Sequence, residues 1–382
     1  MRSWSLTSLI RRLGRHGGLS MLLGVGLMVG MSVPASGQDV GTGAFSRLGF
    51  GARGMALGNA LVADPSADVS PHYNPALLPS ASGQRVSASA ALLSFDRELQ
   101  FLEFTAPLGP TAGIGLSLTH AGVNDIDGRN ADGVRTETLS TDEFALSLAF
   151  GNRFADWLAV GTTLTLYQSD LLPEVDPVRG FGVDLGVRVQ PTGRLSLAAT
   201  VKDLLAKYEW DAAPAGGGSH TDRFPVRVQV GGSYSLLDER LQFLAEVESR
   251  YTTRDRRDPQ TLVTSGGPRA QTRTESFLLH DLRARVGVAY RPLKILRLRA
   301  GVDRLGVDDT SGLRPRAGFG VRQSIGDLDL RASYAATLEP YVRPVMNTRP
   351  VELVLCAPPT TTGRRRHSPD SAQHPPPPVH AD

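Results

Sequence analysis

From about residue 84 to residue 356 the side chains alternate, apolar then small or polar, with a period of two. That period belongs to extended strands, whose successive side chains point to opposite faces. Between Arg179 and Val189, the residues Phe181, Val183, Leu185, Val187 and Val189 share one face, while Gly182, Asp184, Gly186 and Arg188 share the other. Phe224 to Tyr234, Leu282 to Tyr290 and Leu296 to Asp303 repeat the pattern, the last with Leu298, Ala300 and Val302 opposed to Arg297, Arg299 and Gly301. Helical periodicity is almost absent. The pattern predicts about fourteen strands, at 85–95, 99–107, 111–121, 142–151, 157–168, 179–190, 194–203, 224–235, 240–252, 277–291, 294–304, 313–324, 327–337 and 348–356. Most reach the ~9 to 11 residues that a tilted strand needs to cross a bilayer, against a mean of about five or six in globular sheets.

The connections have their own rhythm. Tight turns at Leu108 to Pro110, Gln190 to Arg194, Leu237 to Glu239, Arg291 to Lys294 and Gly326 to Asp327 alternate with long polar loops at 123–140, 204–223 and 253–276. Short turns at one end and long loops at the other describe an all-β, transmembrane antiparallel β-barrel of the outer-membrane type. One turn, Asp96 to Glu98, is tight on the side where long loops are expected.

A lipid-facing exterior tolerates charge only toward the lumen. The inner register collects Arg188, Arg227, Arg250, Arg283, Arg285, Arg297, Arg299, Arg314, Arg316, Arg322 and Arg331 with Asp184, Glu246, Glu248, Asp303, Asp329 and Glu352. A mixed-charge lumen is therefore expected. Phe181, Phe224, Tyr234, Tyr251, Phe277, Tyr290 and Tyr334, near strand ends, are expected at the membrane interfaces. An aromatic content of 6% is sparse for such a belt, and a soluble secreted all-β binding protein stands as an alternative.

Composition allows one large β domain or two ordinary domains, and the strand pattern decides for the first: 382 residues with 41 Gly, 41% hydrophobic, and a net charge of +3 carried by scattered arginines, a pattern that gives nucleic-acid binding little support. Arg2, Arg11, Arg12 and Arg15 precede an apolar run from Leu19 to Val33 and the small residues Ala35-Ser36-Gly37. This reads as a secretory signal peptide over residues 1–37; Leu13-Gly14 after the arginine pair favours the general export route over the twin-arginine one. Cys356 is the single cysteine, so no internal disulfide is available.

Gly49-x-Gly51-x-x-Gly54 has the spacing of a dinucleotide-binding loop, which needs a buried strand before it and a repeating strand-helix pattern around it. Met55 to Ala63 fits two helical turns, and Asp68 stands where a ribose-binding acid would. Upstream, however, Gly41 to Arg47 is too short and polar for a central parallel strand. The same stretch, Gly51-Ala-Arg-Gly-Met-Ala-Leu-Gly-Asn-Ala60 followed by Tyr73-Asn-Pro-Ala-Leu77, resembles the N-terminal signature of the PorV/PorQ family of outer-membrane barrels, related in architecture to the FadL fatty-acid channels. The resemblance extends through Asp125 to Gly133, Gly180 to Gly186 and Asn347-Thr-Arg349. It implies a fourteen-stranded barrel at 84–356 and an N-terminal hatch at 38–83 that folds into the lumen, with Arg53, Gly54 and the Asn74-Pro75-Ala76 turn as its hatch and lumen residues. The glycines then serve close backbone approach, and no nucleotide is expected.

Two family members work with the type IX secretion system, so the resemblance implies a non-enzymatic role in protein secretion or surface attachment, with secretion components and cargo C-terminal domains as partners besides outer-membrane lipid. The alternative is a FadL-like channel for small apolar solutes, against which the charged lumen, above all Arg188, Arg283, Arg285, Arg297, Arg299, Glu246, Glu248 and Asp303, weighs. No cofactor, metal or catalytic residue is expected. Asp125, Asp127, Asn130 and Asp132 sketch a calcium loop, but Arg129 stands at a ligand position and Thr136 where the bidentate Glu belongs, so a solvated loop is the reading. His280-Asp281 lacks a nucleophile fixed by any motif and is read as a rim pair. Residues 357–382, with Arg364 to His367 and Pro375 to Pro378, form a low-complexity tail expected to be disordered, where family members end at an aromatic-tipped strand.

Overall fold

The computed structural model describes residues 41–64, 66, 71–93, 96–171, 176–211, 219–264, 267–305, 313–338 and 346–357. The expected signal peptide, Asp68 and the tail beyond Ala357 lie outside these residues. The chain forms strands β1 (Gln84–Leu92), β2 (Arg97–Leu108), β3 (Ala112–Arg129), β4 (Arg135–Ala155), β5 (Leu158–Asp170), β6 (Val178–Thr192), β7 (Leu195–Leu204), β8 (Lys207–Asp211) and β9 (Ser219–Arg223). It continues through β10 (Val226–Leu236), β11 (Leu241–Thr264), β12 (Gly267–Leu293), β13 (Leu296–Leu305), β14 (Arg314–Ile325), β15 (Leu328–Leu338) and β16 (Met346–Ala357). All but β8 and β9 belong to one closed antiparallel barrel of fourteen strands in which sequence neighbours pair, β7 pairs with β10, and β1 closes on β16.

The alternation in the sequence becomes the two faces of this wall. Leu116, Leu118, Leu146, Leu148, Phe150, Leu164 and Leu166 point outward and are exposed, as a lipid-facing belt requires, whereas Ser117, Thr119, Thr163 and Thr165 between them are buried. Leu298 is 45% exposed and its neighbour Arg299 only 7%. The expected inward arginines, Arg188, Arg227, Arg250, Arg283, Arg285, Arg299 and Arg316 among them, are all buried. Phe181, Tyr251, Phe277 and Tyr290 lie on the exposed surface as expected.

Three expectations are corrected. Residues 123–140 and 253–276 are not irregular loops, because β3 with β4 and β11 with β12 carry their ladders outward as paired ribbons, down to Thr264 opposite Gly267. The connection at 204–223 contains its own hairpin, β8 with β9, outside the barrel sheet. Phe224 is no interface residue: it is 4% exposed and packs inside with Phe45, Tyr167 and Tyr208. The short connections, such as 109–111, 193–194 and 326–327, share one end of the barrel with the start of β1 and the end of β16. In outer-membrane barrels that end is periplasmic.

Ahead of β1 the chain makes a 3-10 turn at Ala44–Arg47, a helix α1 at Gly51–Ala56 and a 3-10 helix at Pro75–Ser80, all inside the barrel. α1 lies against β13 to β16 and β1, and Pro75–Ser80 against β2 to β6. Leu298→Arg is expected to cost about 2 to 4 kcal/mol by placing charge in lipid at mid-strand, and Arg299→Leu clearly less. Reversible folding into phospholipid bilayers measures both, and equal costs would mean that the two faces have been exchanged.

Candidate functional site

The lumen is filled by the N-terminal segment, and the wall is shaped to receive it. Gly113, Gly151, Gly161 and Gly186 stand directly opposite one another across β3, β4, β5 and β6. A Cβ at any of them would overlap Asn74, Pro75 or Leu78, so the backbone of Pro75–Ser80 rests on bare wall backbone. Asn74 caps this helix, accepting from the Ala76 N–H at 2.9 Å, and donates from Nδ2 to the Val62 carbonyl at 2.8 Å. Proline follows at the first helical position, where its missing N–H costs nothing. The Asn-Pro-Ala turn is thus a capping device that also staples the two halves of the segment.

The glycine-rich stretch has an equally local explanation. Tyr73 lays its hydroxyl over Gly54, where any Cβ would collide with it. That hydroxyl accepts from the Phe50 N–H at 3.0 Å and lies 2.9 Å from the Phe50 carbonyl and 3.0 Å from Asn59 Oδ1. Among the described residues no strand precedes the glycines, and α1 has only six residues, so the dinucleotide spacing is a packing motif.

Arg53, expected in the lumen, forms a buried ion pair with Asp64 of the same segment, a partner that sequence reading missed. The Arg53 backbone N–H also donates to Glu352 Oε2 on β16 at 3.1 Å, and the Val62 N–H to Glu246 Oε2 on β11 at 3.2 Å. Burial by itself pushes the Asp64 carboxyl up, but the Arg53 guanidinium and hydrogen bonds from Gln242 and Ser66 outweigh it and hold the carboxyl below its ordinary range.

Four of the expected charge residues converge. The Arg285 guanidinium contacts Glu246, Glu248 Oε2 at 3.0 Å and Asp303 Oδ1 at 3.0 Å, while Arg250 pairs with Glu248 and Arg316 with Asp303 at 2.9 Å. Cross-strand register makes this possible, since Glu246 stands directly opposite Arg285. The other four are elsewhere. Arg283 pairs with Asp281 at 2.6 Å, and Arg188 reaches Ser80 and Ser196 on the far wall. Arg297 and Arg299 face α1 from β13, with Arg299 donating to Ser333 Oγ at 3.2 Å. Sequence reading also missed a second buried centre, in which Asp203 pairs with Arg227 at 2.7 Å and accepts from the Tyr167 hydroxyl at 2.9 Å.

The lumen is not uniformly charged. Toward the long-ribbon end, Phe45, Tyr167, Phe224 and Tyr208 form an aromatic cluster under the β8–β9 hairpin, with Tyr167 and Phe224 centroids 4.7 Å apart and Trp210 packed on the edge. A second cluster, with Phe50 stacked on Phe101 at 4.9 Å, adjoins it through Ala121. The His72 ring stands edge-on to Phe50 at 4.2 Å. Burial, then the nearby Lys202 and Arg227 charges, hold its pKa well below the ordinary value, so it is neutral in the fold.

Asp127 pairs with Arg129 and Arg135 within the β3–β4 ribbon. His280 sits on the exposed face 2.5 Å from Ser249 Oγ.

No family model matches the chain, and no curated protein matches it. Solved structures do. The toluene transporter TodX of Pseudomonas putida aligns over 80% of this chain and 96% of its own, with a TM-score of 0.52 at 14% identity. The monoaromatic hydrocarbon channel CymD aligns over 81% and 98%, with a TM-score of 0.54 at 13% identity. A FadL homologue of Pseudomonas aeruginosa aligns over 81% and 98% at 14% identity, with a TM-score of 0.49. The shared feature is the fold, a closed fourteen-stranded barrel.

Removing either partner of the Arg53–Asp64 pair leaves a buried charge, so Arg53→Met or Asp64→Asn is expected to weaken docking of the segment by about 3 to 5 kcal/mol, and the double variant by less than the sum. Hydrogen exchange of the residue 51–56 amides measures this. A depressed histidine pKa means that the unfolded or undocked form takes up a proton that the docked form refuses, so stability falls as pH drops below about 6.5. The protection factor at 71–80, exchange corrected for the intrinsic slowing of amide exchange at lower pH, is expected to fall between pH 8 and pH 5, and His72→Asn to flatten that dependence; an unchanged profile in the variant would assign the effect to another group.

Proposed function

We propose that this chain is an outer-membrane channel for small apolar solutes, without enzymatic activity or cofactor, in a Gram-negative bacterium. The observation that carries it is the aromatic lining at the long-ribbon end, where Tyr167, Tyr208, Trp210, Phe224 and Phe101 pack with Phe45 and Phe50 of the N-terminal segment. Inward aromatic surface in a lumen otherwise lined by arginine has no role in neutralising charge, and it matches apolar solutes in kind. The proteins that share the fold support the reading, being named as a toluene transporter and a monoaromatic hydrocarbon channel. Solute entering from outside would meet aromatic clusters that the N-terminal segment itself helps to build through Phe45 and Phe50, so passage requires that segment to shift.

A second reading has its own support. The PorV/PorQ resemblance at residues 51–60 and 73–77 and a lumen occupied by the chain itself both suit a surface-docking protein of type IX secretion, which would present cargo-binding ribbons and transport nothing. The β3–β4 and β11–β12 ribbons would then be the contact surface.

Liposomes carrying the purified barrel separate the two. Saturable uptake of a monoaromatic hydrocarbon, reduced about tenfold by Phe224→Ala with Trp210→Ala, is the outcome expected of a channel; uptake no faster than through empty liposomes would refute it. Deleting the gene and cataloguing surface proteins tests the secretion reading, which predicts loss of cargo bearing type IX C-terminal signals and its return with the wild-type chain.

A further inference from the structure

An open recess of about 600 Å³ lies at the short-turn end of the barrel, where the start of β11, the β12–β13 hairpin and the end of β14 come together. Four cations line it, Arg240, Arg291, Lys294 and Arg322, and no acidic residue does. Arg322 is partnered by Asp329 of β15. Arg240, Arg291 and Lys294 make no ion pair among the described residues, and Asp238 and Glu239, in the turn beside Arg240, pair with none of them. The lumen above is different, since buried guanidinium groups such as Arg285 and Arg227 meet carboxylates there.

The register fixes which way these charges face. The Arg291 N–H donates to the Arg240 carbonyl at 2.8 Å, one step beyond the Leu241–Tyr290 pair, and Tyr290 is exposed on the lipid side. Alternation therefore turns Arg240 and Arg291 toward the barrel axis, the side from which Gln242 reaches Asp64 of the plug at 2.9 Å. Arg322 follows the outward Val321 and takes the same direction, and its N–H donates to the Ile295 carbonyl at 2.9 Å, so Ile295 stands opposite it on the inner face. Ile295 is 55% exposed, an apolar side chain left open among the cations.

We propose that this recess docks an acidic segment of a periplasmic protein, several carboxylates with an apolar side chain between them, against Arg240, Arg291 and Lys294 with Ile295 beneath. Direction selects the source of the anion. The wall itself separates inward cations at the mouth from the headgroups around the barrel, so their partner arrives through water from the periplasm. Size and spacing select its class. A volume within the ~300 to 1,000 Å³ of sites that enclose a drug-sized ligand is far more than one inorganic ion fills, a water molecule claiming roughly 30 Å³ in the liquid. The charges are spread along the ends of β11, β12 and β14, which calls for several negative groups on one chain. Such rim charges steer encounter and set orientation more than they add affinity. The site does not depend on whether the barrel conducts solutes or docks cargo.

The full-length barrel in detergent is to be titrated with a fluorescent peptide of alternating Glu and Leu, and with the same peptide carrying Gln for Glu. The acidic peptide is expected to bind and the neutral one not, with binding that weakens as salt rises past about 0.1 M, where the screening length is ~10 Å. Arg240→Glu combined with Arg291→Glu is expected to lower the affinity about tenfold or more. Should that variant not fold, the wild-type chain decides through its lysines. These number three, Lys202, Lys207 and Lys294, of which Lys202 is buried and Lys207 lies on β8 at the other end. Carbodiimide coupling of the peptide carboxylates, mapped by mass spectrometry, is expected to fall on Lys294. Equal binding of the two peptides, or coupling at Lys207 alone, would overturn the proposal. So would displacement of the peptide by phosphatidylglycerol added to the micelles, or by inorganic phosphate at equal ionic strength, since these would assign the cations to lipid or to single anions.

Discussion

Closure of β1 onto β16 is the constraint from which the rest follows. The first barrel strand pairs along its whole length with the last, from Gln84 opposite Ala357 to Leu92 opposite Arg349, so no sheet edge is left in lipid. In a medium without hydrogen-bond partners, an open edge would leave a row of backbone groups unsatisfied at several kcal/mol each. A closed wall in turn allows two directions for each side chain. Alternation then sends Leu298 into lipid and Arg299 into the lumen, and it does so strand after strand. Arginine crowded into a closed lumen must find carboxylates, which come from facing strands, as with Glu246 opposite Arg285, and from the N-terminal segment, as with Asp64.

Where a period of two decides the outcome, the fold was legible in the residues. Strand number, facing and the inward arginines follow from side-chain geometry alone, because a one-residue slip would turn every charge into lipid. The extended ribbons were not legible, since Asp255 to Arg257 and Thr272 to Glu275 read as loop by composition and gain their order from pairing with each other. Nor was the direction of Phe224. An aromatic residue near a strand end has two possible partners, a membrane interface or an interior cluster, and only the fold of the 204–223 connection over the mouth puts Tyr208 within 5.0 Å of it. Of the site, Arg53 and Asn74 were visible through the resemblance, yet Asp64 and Tyr73 were not singled out as partners because their pairing depends on how the segment folds back on itself. A signal did exist for the seat of the plug: glycines at 113, 151, 161 and 186 all occupy inward positions, and inward glycine in four successive strands marks a place where another backbone lies.

Both sides of the lumen carry bare glycine backbone against the plug, with Gly287 and Gly301 under Leu57 as counterparts of the β3 to β6 track, and they differ in the charged groups they add. On β10 to β16 the plug meets carboxylates and guanidinium groups, through Glu246, Glu352 and the residues around Arg299. Along β3 to β6 it meets glycine backbone, with Arg188 to Ser80 as the polar contact at the end of Pro75–Ser80. The aromatic clusters continue this second side upward, since Leu99 and Phe101 belong to β2, Ala145 to β4, Tyr167 to β5 and Val178 to β6.

This division determines where a shift of the plug costs least. Pulling α1 from the charged wall breaks the hydrogen bonds that the Arg53 and Val62 N–H groups donate to the buried carboxylates of Glu352 and Glu246, each worth about 1.5 to 3 kcal/mol because the acceptor is charged. Lifting Pro75–Ser80 from the glycine track breaks van der Waals contact and a few hydrogen bonds, each worth a net 0.5 to 1.5 kcal/mol or so. The bond that Asn74 accepts from Ala76 moves with the helix, and the bond it donates to Val62 is the tether to the half that stays. A passage that opened along β3 to β6 would run directly beneath the aromatic mouth, bounded by bare backbone on one side, and would leave the ion pairs around Arg285 intact. In such a movement the charged wall is the fixed side, the anchor against which the other side can move.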